Sequence, residues 1–240
     1  MSEVRTAEQV RVDDAASWYL TDQNDVDRRL IHYRYQTMKP WLKGPQGLEM
    51  GPADGQMTRN LVDDFEHLTV LDGSAELLAQ VPEASNLEKV HSLFEEFTPD
   101  RAYDTIILDH ILEHVEDPVS IMRLAMRWLA ADGRLMLGVP NGRSLHRLAA
   151  VPMGLLSHPC QLNPRDLAQG HRRVYTIDTF RADIEAAGIH VQHMGGVFIK
   201  PLSNQQIQEQ WTVQMMDAYF EVGKQLPDIT ADLFAVCTLP

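Results

Sequence analysis

The sequence predicts an α/β fold in which helices cover both faces of a mostly parallel β-sheet. Three observations favour this class. Short apolar runs of strand length alternate with helical segments along most of the 240 residues. One run, residues 103–108, is largely apolar, as in a parallel strand buried on both faces. A small-residue turn with Gly51 and Gly55 joins the first run to the next helix, as in a strand–turn–helix unit.

The elements are predicted in the following order. Residues 1–40 form an N-terminal helical cap, and residues 41–240 form the main domain. The predicted strands are residues 46–50, 69–71, 87–91, 103–108, 134–141, 189–193 with 197–199, and 233–239. The predicted helices are residues 15–20, 25–36, 54–65, 74–80, 119–129, 177–187 and 205–224, with Ser74 and Thr176 as N-caps. Residues 142–169 form a long irregular segment, and such segments are usually functional lids.

The charge and the cysteine content of the chain limit the binding partners and structural sites that are expected. The formal net charge is −13 and the pI is about 5.1, which argues against nucleic acid or an anionic membrane as the main partner. Cys160 and Cys237 are far apart, and no cluster of polar residues has metal-ligand spacing. We therefore predict neither a disulfide scaffold nor a metal site. No apolar stretch has membrane-spanning length and the N-terminus lacks a signal peptide, so the predicted location is cytoplasmic.

The first turn carries a more specific pattern. Glu49 precedes Gly51, Ala53 and Gly55, and the whole stretch resembles motif I of the class I S-adenosylmethionine (SAM)-dependent methyltransferases, with Ala53 in place of a glycine. An acid, Asp72, ends the second apolar run, where a carboxylate can accept two hydrogen bonds from a ribose diol. The alternative for motif I alone is a strand–helix turn of any α/β protein. A dinucleotide fingerprint is disfavoured because Ala53 replaces its middle glycine.

Two later segments extend the resemblance. Residues 112–118, after the fourth strand, are similar to a segment frequent in the same superfamily, and Val139, Pro140 and Asn141 end the fifth strand as in these enzymes. The resemblance spans about residues 30–240. It implies a Rossmann-like methyltransferase fold with seven strands, the last one antiparallel. Residues 41–240 would be the SAM-binding domain, and residues 1–40 would form a helical lid across the cofactor mouth.

The resemblance also implies a set of SAM contacts. The nucleoside would be held by motif I, the acid of the second strand, an apolar pair after the third strand and the acid of the fourth strand. Tyr19 and Arg34 of the cap would touch the methionine end, with His32 and Tyr35 as further candidates; for each, plain packing is an equal alternative. The predicted cofactor-binding residues are Tyr19, Arg34, Glu49, Gly51, Ala53, Gly55, Asp72, Gly73, Ser74, Leu93, Phe94 and Asp109.

Candidate catalytic residues follow the later strands. His110 comes directly after the fourth strand and has a suitable pKa for a general base, and His171 is the second candidate. Each could instead be a histidine that holds a loop. Asn141, Tyr175 and Ser203 form a polar set that could orient an amine, with a turn, a packed tyrosine and a helix cap as their structural alternatives. His114 and His146 are predicted to be structural.

The predicted function is SAM-dependent methylation of a small-molecule metabolite by a monomer or homodimer. The first alternative is cyclisation, in which the α-amino group of SAM attacks its own γ-carbon to give azetidine-2-carboxylate and methylthioadenosine. Such biosynthesis is suggested because residues 139–141, 170–175 and 200–204 also resemble methyltransferase-like azetidine-2-carboxylate synthases. The second alternative is a non-catalytic SAM-binding module. A nicotinamide-dependent dehydrogenase is disfavoured because no second dinucleotide-binding half follows the first.

Overall fold

The computed structural model describes residues 6–21 and 25–240, so residues 1–5 and 22–24 of the predicted cap lie outside the described residues. Seven strands form one sheet. They are β1 Gln46–Met50, β2 His67–Asp72, β3 Leu87–His91, β4 Tyr103–Asp109, β5 Leu129–Pro140, β6 His190–Val197 and β7 Asp232–Thr238. Their order across the sheet is β3-β2-β1-β4-β5-β7-β6.

The strand directions identify the functional edge of the sheet, which is the edge where the parallel strands end and where ligands bind in this class of fold. β1 pairs in parallel with β2 and β4, and the pairs β2–β3 and β4–β5 are also parallel. β7 is antiparallel to both β5 and β6. β6 therefore runs in the same direction as β1 to β5, and the carboxyl ends of these six strands share one edge with the amino end of β7. The predicted seven-stranded, mostly parallel sheet with an antiparallel last strand is confirmed.

Ten α-helices accompany the sheet in the described residues. They are α1 Ala7–Thr21, α2 Asp25–Met38, α3 Thr58–Leu61, α4 Ala75–Leu78, α5 Pro118–Trp128, α6 Leu145–Ala150, α7 Pro164–Ala168, α8 Ile177–Ala186, α9 Asn204–Gln210 and α10 Val213–Gly223. The predicted N-caps are confirmed: the Ser74 side chain accepts from Leu77 N, and the Thr176 side chain accepts from Thr179 N.

The core is divided between the two faces of the sheet. Because successive side chains of a strand point to opposite faces, Ile106 and Leu108 of β4 pack with Leu48 in one hydrophobic cluster. Ile107 packs with Val70 in the other cluster. Helices cover each cluster, so the central strands are buried on both faces, as their apolar sequence predicts.

Helix α2 is fixed on one of these faces. Leu30, Tyr33 and Met38 lie on one side of α2 and are buried. The Tyr33 ring stacks on Phe220 of α10 with centroids 4.4 Å apart. The Tyr33 hydroxyl donates to Asp217 of the same helix at 2.6 Å. This packing holds the carboxyl half of the cap beside the functional edge of the sheet.

Several predicted elements differ in their bounds. The helix predicted for residues 54–65 is reduced to α3, because the glycine turn extends through Gly55. The helix predicted for residues 205–224 is two helices, since Trp211 has extended backbone angles and the Thr212 side chain caps α10. β6 is continuous where two pieces were predicted, and the long segment of residues 142–169 contains α6 and α7. None of the helices within residues 6–21 and 25–240 combines the length and the apolar composition that a membrane span requires.

Candidate functional site

A cavity of about 510 Å³ opens at the carboxyl edge of the sheet. Its volume falls within the range of small-molecule sites, roughly 300–1,000 Å³. Its walls come from α1, α2, the strand ends and the segments that follow β5 and β6. Of the predicted site residues, those that line it are Tyr19, Arg34, Glu49, Gly51, Ala53, Asp72, Gly73, Leu93, Phe94, Asp109, His110, Asn141, His171 and Ser203.

The turn after β1 has the tight geometry that its sequence predicts. Gly51, Ala53 and Gly55 all have positive φ, at 71°, 49° and 77°. A Cβ on Gly51 would lie 2.1 Å from Cδ1 of Ile111, so the main chain approaches that side chain as only glycine permits. Ala53 takes a left-handed conformation that costs an L-residue roughly 1–2 kcal/mol. Ala53, which replaces a glycine of the motif, is thus accommodated at the cost of backbone strain, and the turn keeps its conformation.

Two buried acids stand beside this turn. The Thr58 hydroxyl donates to Oε2 of Glu49 at 2.6 Å, and the amide of Ser74 donates to Oδ1 of Asp72 at 2.8 Å. Burial raises the pKa of Glu49 to about 8, against the Thr58 hydrogen bond. Burial likewise raises the pKa of Asp72 to about 6, although amides of Ser74 and Ala53 donate to it. Hydroxyl donors or a positive charge would stabilise the ionised form of both carboxyls. A nucleoside cofactor with a sulfonium supplies both.

The wall next to these acids suits a flat ring. Leu93 and Phe94 follow β3 and line the cavity, as predicted. Gly73 lies against Leu93, because a Cβ there would be 3.1 Å from Cδ2 of Leu93. The Gly73 carbonyl accepts from the Gln9 side chain at 2.8 Å, which joins α1 to the end of β2. Gly55 and Ser74 do not line the cavity formed by the described residues. Gly55 shapes the turn and Ser74 caps α4, so both act on the site through the backbone.

Arg34 of α2 crosses the middle of the cavity edge. Its Nε donates to Oδ2 of Asp109 at 2.6 Å, and its Nη1 to Oδ2 of Asp232 at 3.3 Å. Burial lowers the pKa of Arg34, but the two carboxylates outweigh it and raise the pKa overall. Oδ1 of Asp109 is buried without a hydrogen-bond partner among the described residues. Arg34 thereby ties the cap to β4 and β7.

His110 has a strained backbone and an acidic environment. Its φ is 58°, and its amide donates to the carbonyl of Gly138 at 2.9 Å. Left-handed non-glycine residues are concentrated at functional sites. Nδ1 lies 3.4 Å from Oε1 of Glu113, and Nε2 lies 3.4 Å from Oδ1 of Asp232.

The titration of His110 follows from these neighbours. Burial and Arg34 lower its pKa, but Asp232 and Glu113 outweigh them and raise it. In turn, His110 and Arg34 outweigh burial and lower the pKa of Asp232 to about 2. Burial raises the pKa of Glu113 to about 7, with His110 opposing the shift. The imidazole can therefore accept a proton and share the resulting charge with a carboxylate.

The other candidate catalytic residues are engaged to different degrees. The Asn141 amide donates to the carbonyls of Asp228 and Thr230 at 3.1 and 2.9 Å, which joins the end of β5 to the start of β7. Ser203 lines the cavity and caps α9. His171 lines the cavity too, and burial lowers its pKa to about 4.

Tyr175 lies apart from the cavity that the described residues form. Its hydroxyl donates to Asp183 at 2.9 Å, and its ring packs against Phe180. Burial raises its pKa, and Asp183 adds to the shift. Tyr175 is thus a packing residue in this geometry, because its buried side chain contacts Asp183 and Phe180 of α8.

Some cavity residues were missed by the sequence analysis. His114 and His146, which we predicted to be structural, both line the cavity, as do Lys200 and Asp232. The Tyr19 hydroxyl lies 3.2 Å from Nε2 of His114. Asp232 had a usable signal, because an antiparallel last strand begins at the functional edge.

One group of side chains could hold a metal ion. Ligand atoms of Glu113, His114 and His171 all lie within 4.8 Å of one another. Both carboxylate oxygens of Glu113 and Nδ1 of His171 are buried without hydrogen-bond partners among the described residues. The sequence spacing predicted no metal site, because His171 reaches this group from a distant segment.

Comparison with known proteins gives this architecture a family. Residues 23–194, more than half of the chain, match the family described as a methyltransferase domain. The chain is 26% identical over 182 residues to the ubiquinone biosynthesis O-methyltransferase of Aeromonas salmonicida, and the match covers 68% of this chain and 71% of that protein.

Solved structures share the fold. A SAM-dependent methyltransferase from Mesorhizobium loti has a TM-score of 0.60 at 14% identity, covering 85% of this chain and 97% of that chain. The N-methyltransferase NodS from Bradyrhizobium japonicum, solved with S-adenosylhomocysteine (SAH), has a TM-score of 0.54 at 17% identity, covering 91% and 90%. The family match and the glycine turn with its two acids lead to one conclusion: the chain belongs to the methyltransferase-domain family and is a class I SAM-dependent methyltransferase, with SAM as its cofactor.

Proposed function

We propose that this enzyme methylates a hydroxyl group of a small molecule, with His110 as the general base. The observation that carries the proposal is the position of His110 between two carboxylates, in the same cavity as Glu49 and Asp72. The relative from Aeromonas salmonicida is named as an O-methyltransferase, which supports an oxygen acceptor. A neutral hydroxyl must lose its proton on methylation, so a base has a task at this site.

The proposed cofactor contacts divide along the sheet edge. Asp72 accepts from the ribose hydroxyls, and the main chain of Gly51 and Ala53 lies against the nucleoside. Leu93 and Phe94 flank the adenine. Tyr19 and Arg34 face the methionine end, where Asp109 adds an unpartnered carboxylate oxygen.

The chemistry asked of the protein is modest. When bound, SAM supplies a methyl group on a sulfonium, and SAH leaves as a neutral thioether. Asn141 holds the ends of β5 and β7 together and so maintains the wall beside the acceptor. His110 takes the hydroxyl proton onto its imidazole, and Asp232 and Glu113 stabilise the imidazolium. Alignment of acceptor and methyl group, with water excluded, accounts for the remaining rate enhancement.

The size of the cavity favours transfer over cyclisation. Cyclisation of SAM needs no room for a separate acceptor, whereas this cavity of about 510 Å³ continues past His110 to Lys200. Tyr175, one of the three residues that would orient the amino group of SAM, points away from the cavity. Both observations support a separate acceptor molecule.

The test is to identify the nucleoside produced. The purified protein is incubated with SAM alone and with SAM plus a panel of phenols and catechols, and products are separated by mass spectrometry. We expect SAH and a methyl ether only when an acceptor is present. Methylthioadenosine with azetidine-2-carboxylate from SAM alone would instead demonstrate cyclisation. Binding of SAH by calorimetry without any product would indicate a non-catalytic SAM-binding module.

A further inference from the structure

The cavity contains a lysine whose position differs from that of the cofactor residues. Lys200 follows β6 and lines the cavity. Five inter-strand spacings separate β6 from β2, which ends at Asp72. At about 4.8 Å each, these amount to about 24 Å across the edge of the sheet. Lys200 therefore belongs to the end of the cavity remote from the ribose acid.

The acids around Lys200 already have cationic partners. Asp27 accepts from Arg165 at 2.9 Å, and Asp166 from Arg147 at 3.1 Å. Asp232 contacts Arg34 and His110. The Lys200 ammonium, in contrast, makes no hydrogen bond or ion pair with a residue of the described ranges 6–21 and 25–240.

Two further polar groups at this end are unsatisfied. Ser144 is fully buried and His146 is partly buried, and both line the cavity. Oγ of Ser144 and Nδ1 of His146 are buried without hydrogen-bond partners among the described residues. The amide of His146 donates to the carbonyl of Lys200 at 3.0 Å, which holds the start of α6 against the segment after β6. Buried polar groups left unpaired in this way are costly, and a ligand would satisfy them.

The charge of Lys200 persists in this environment. Burial lowers its pKa to about 8, with Asp27 and Asp232 opposing the shift. At pH 7 the side-chain amine of Lys200 is thus mostly protonated. Burial and the cations of Lys200 and Arg147 lower the pKa of His146 to about 3, so its ring is neutral and can donate from one nitrogen.

We propose that Lys200, Ser144 and His146 form a subsite for a carboxylate of the acceptor, so that the acceptor is a small hydroxy acid. This inference rests on the proposed methylation of a hydroxyl group. One ammonium without an ion pair matches one negative charge, and the nearby carboxylates of Asp27 and Asp232 disfavour a dianion such as phosphate. Ser144 and His146 each supply one hydrogen-bond donor to an oxygen of the acceptor carboxylate.

The test uses simple anions on the SAH-saturated protein. Benzoate, hexanoate, benzamide and inorganic phosphate are each titrated by calorimetry, and SAH and methylthioadenosine are titrated separately. We expect at least one carboxylate to bind and benzamide and phosphate to bind at least tenfold more weakly. Lys200→Met should weaken carboxylate binding at least tenfold, Lys200→Arg should retain most of it, and both should bind SAH like the wild type.

A matched control is Lys224→Met, which removes an exposed lysine that pairs with Glu221 at the end of α10. It should leave carboxylate binding unchanged, and circular dichroism verifies the folding of every variant. The inference is overturned if neither carboxylate binds, if benzamide or phosphate binds as tightly, or if Lys200→Met binds carboxylates normally. It is also overturned if Lys200→Met weakens SAH but not methylthioadenosine, because Lys200 would then hold the carboxylate of the cofactor.

The proposed function fails separately. If the wild-type protein does not bind SAH, the methylation proposal is wrong, and the same anion titrations on the free protein still decide whether the subsite exists.

Discussion

The two ends of the cavity are built in different ways. The nucleoside end comes from one short stretch, residues 47–55, together with the ends of the neighbouring strands β2 and β3. The other end is assembled from α2, α6, the start of β7 and the segments that follow β4 and β6. The side chains from these elements are Arg34, His146, Asp232, His110 and Lys200. A local motif therefore specifies one end, whereas the packing of distant segments specifies the other.

The two ends also differ in electrostatics. At the nucleoside end, Glu49 and Asp72 have no cationic partner in the described chain, and burial raises the pKa of both. At the other end, Asp109 and Asp232 contact Arg34, and Asp232 also contacts His110. The first end is prepared for a ligand that brings hydroxyl donors and positive charge. The second holds balanced charges that can take up and release a proton.

The largest effect that would separate the two ends is expected from His110→Gln. Loss of a general base should lower the rate of methyl transfer by roughly 10²–10⁴-fold, while SAH affinity stays near the wild-type value. Turnover and calorimetric SAH binding are measured on the same preparations. His158→Gln, which replaces an exposed histidine, is the control and should leave both quantities unchanged. Undiminished turnover of His110→Gln would remove His110 from the catalytic role.

The converse change is Asp72→Ala. It removes two hydrogen bonds between the ribose diol and a carboxylate, which together contribute about 3 kcal/mol, or roughly a 150-fold loss of SAH affinity. Calorimetry measures the loss, and Asp72→Asn repeats the test with the shape of the side chain kept. Asp63→Ala, at an exposed acid, should bind normally. Normal SAH binding by both Asp72 variants would show that the ribose is held elsewhere.

A smaller effect is expected from pH. The pKa of Asp72 is raised to about 6 in the free protein. Ribose hydroxyls donate to the ionised carboxylate and so favour it, which means that binding releases a proton below this pKa. SAH affinity should fall as the pH drops below about 6, approaching tenfold per pH unit. Calorimetric titrations from pH 7 to pH 5 measure the slope, and Asp72→Asn should lose it. A wild-type slope that persists in Asp72→Asn would assign the titration to another group.

The smallest effect concerns the strain in the turn. Ala53→Gly relieves roughly 1–2 kcal/mol of left-handed strain but adds about 0.4–1 kcal/mol of unfolded-state entropy. The free energy of unfolding in urea should therefore rise by about 0.5–1 kcal/mol. Ala187→Gly is the matched control: its φ of −71° is relaxed, so glycine there should destabilise the protein. Equal destabilisation by the two changes would contradict the strain assigned to Ala53.

The sequence predicted most of the fold because its signals are local. β1 and β3 begin and end at the predicted residues. The errors occur where a boundary depends on packing or backbone geometry. The turn after β1 occupies the first part of the predicted helix, so that only α3 is helical. Trp211 divides α9 from α10 because its backbone is extended.

The chain by itself determined the α/β class and the glycine turn with its neighbouring acids, because these depend on apolar spacing and on residues close in sequence. Only the tertiary structure decided the composition of the far end of the cavity. There, Asp232 at the start of β7 contacts His110 after β4, and Lys200 reaches the cavity from the segment after β6. Tyr175 turns into the core although it follows a promising loop. Spacing along a chain does not specify such distances, because the relative placement of segments depends on the whole core on which they pack.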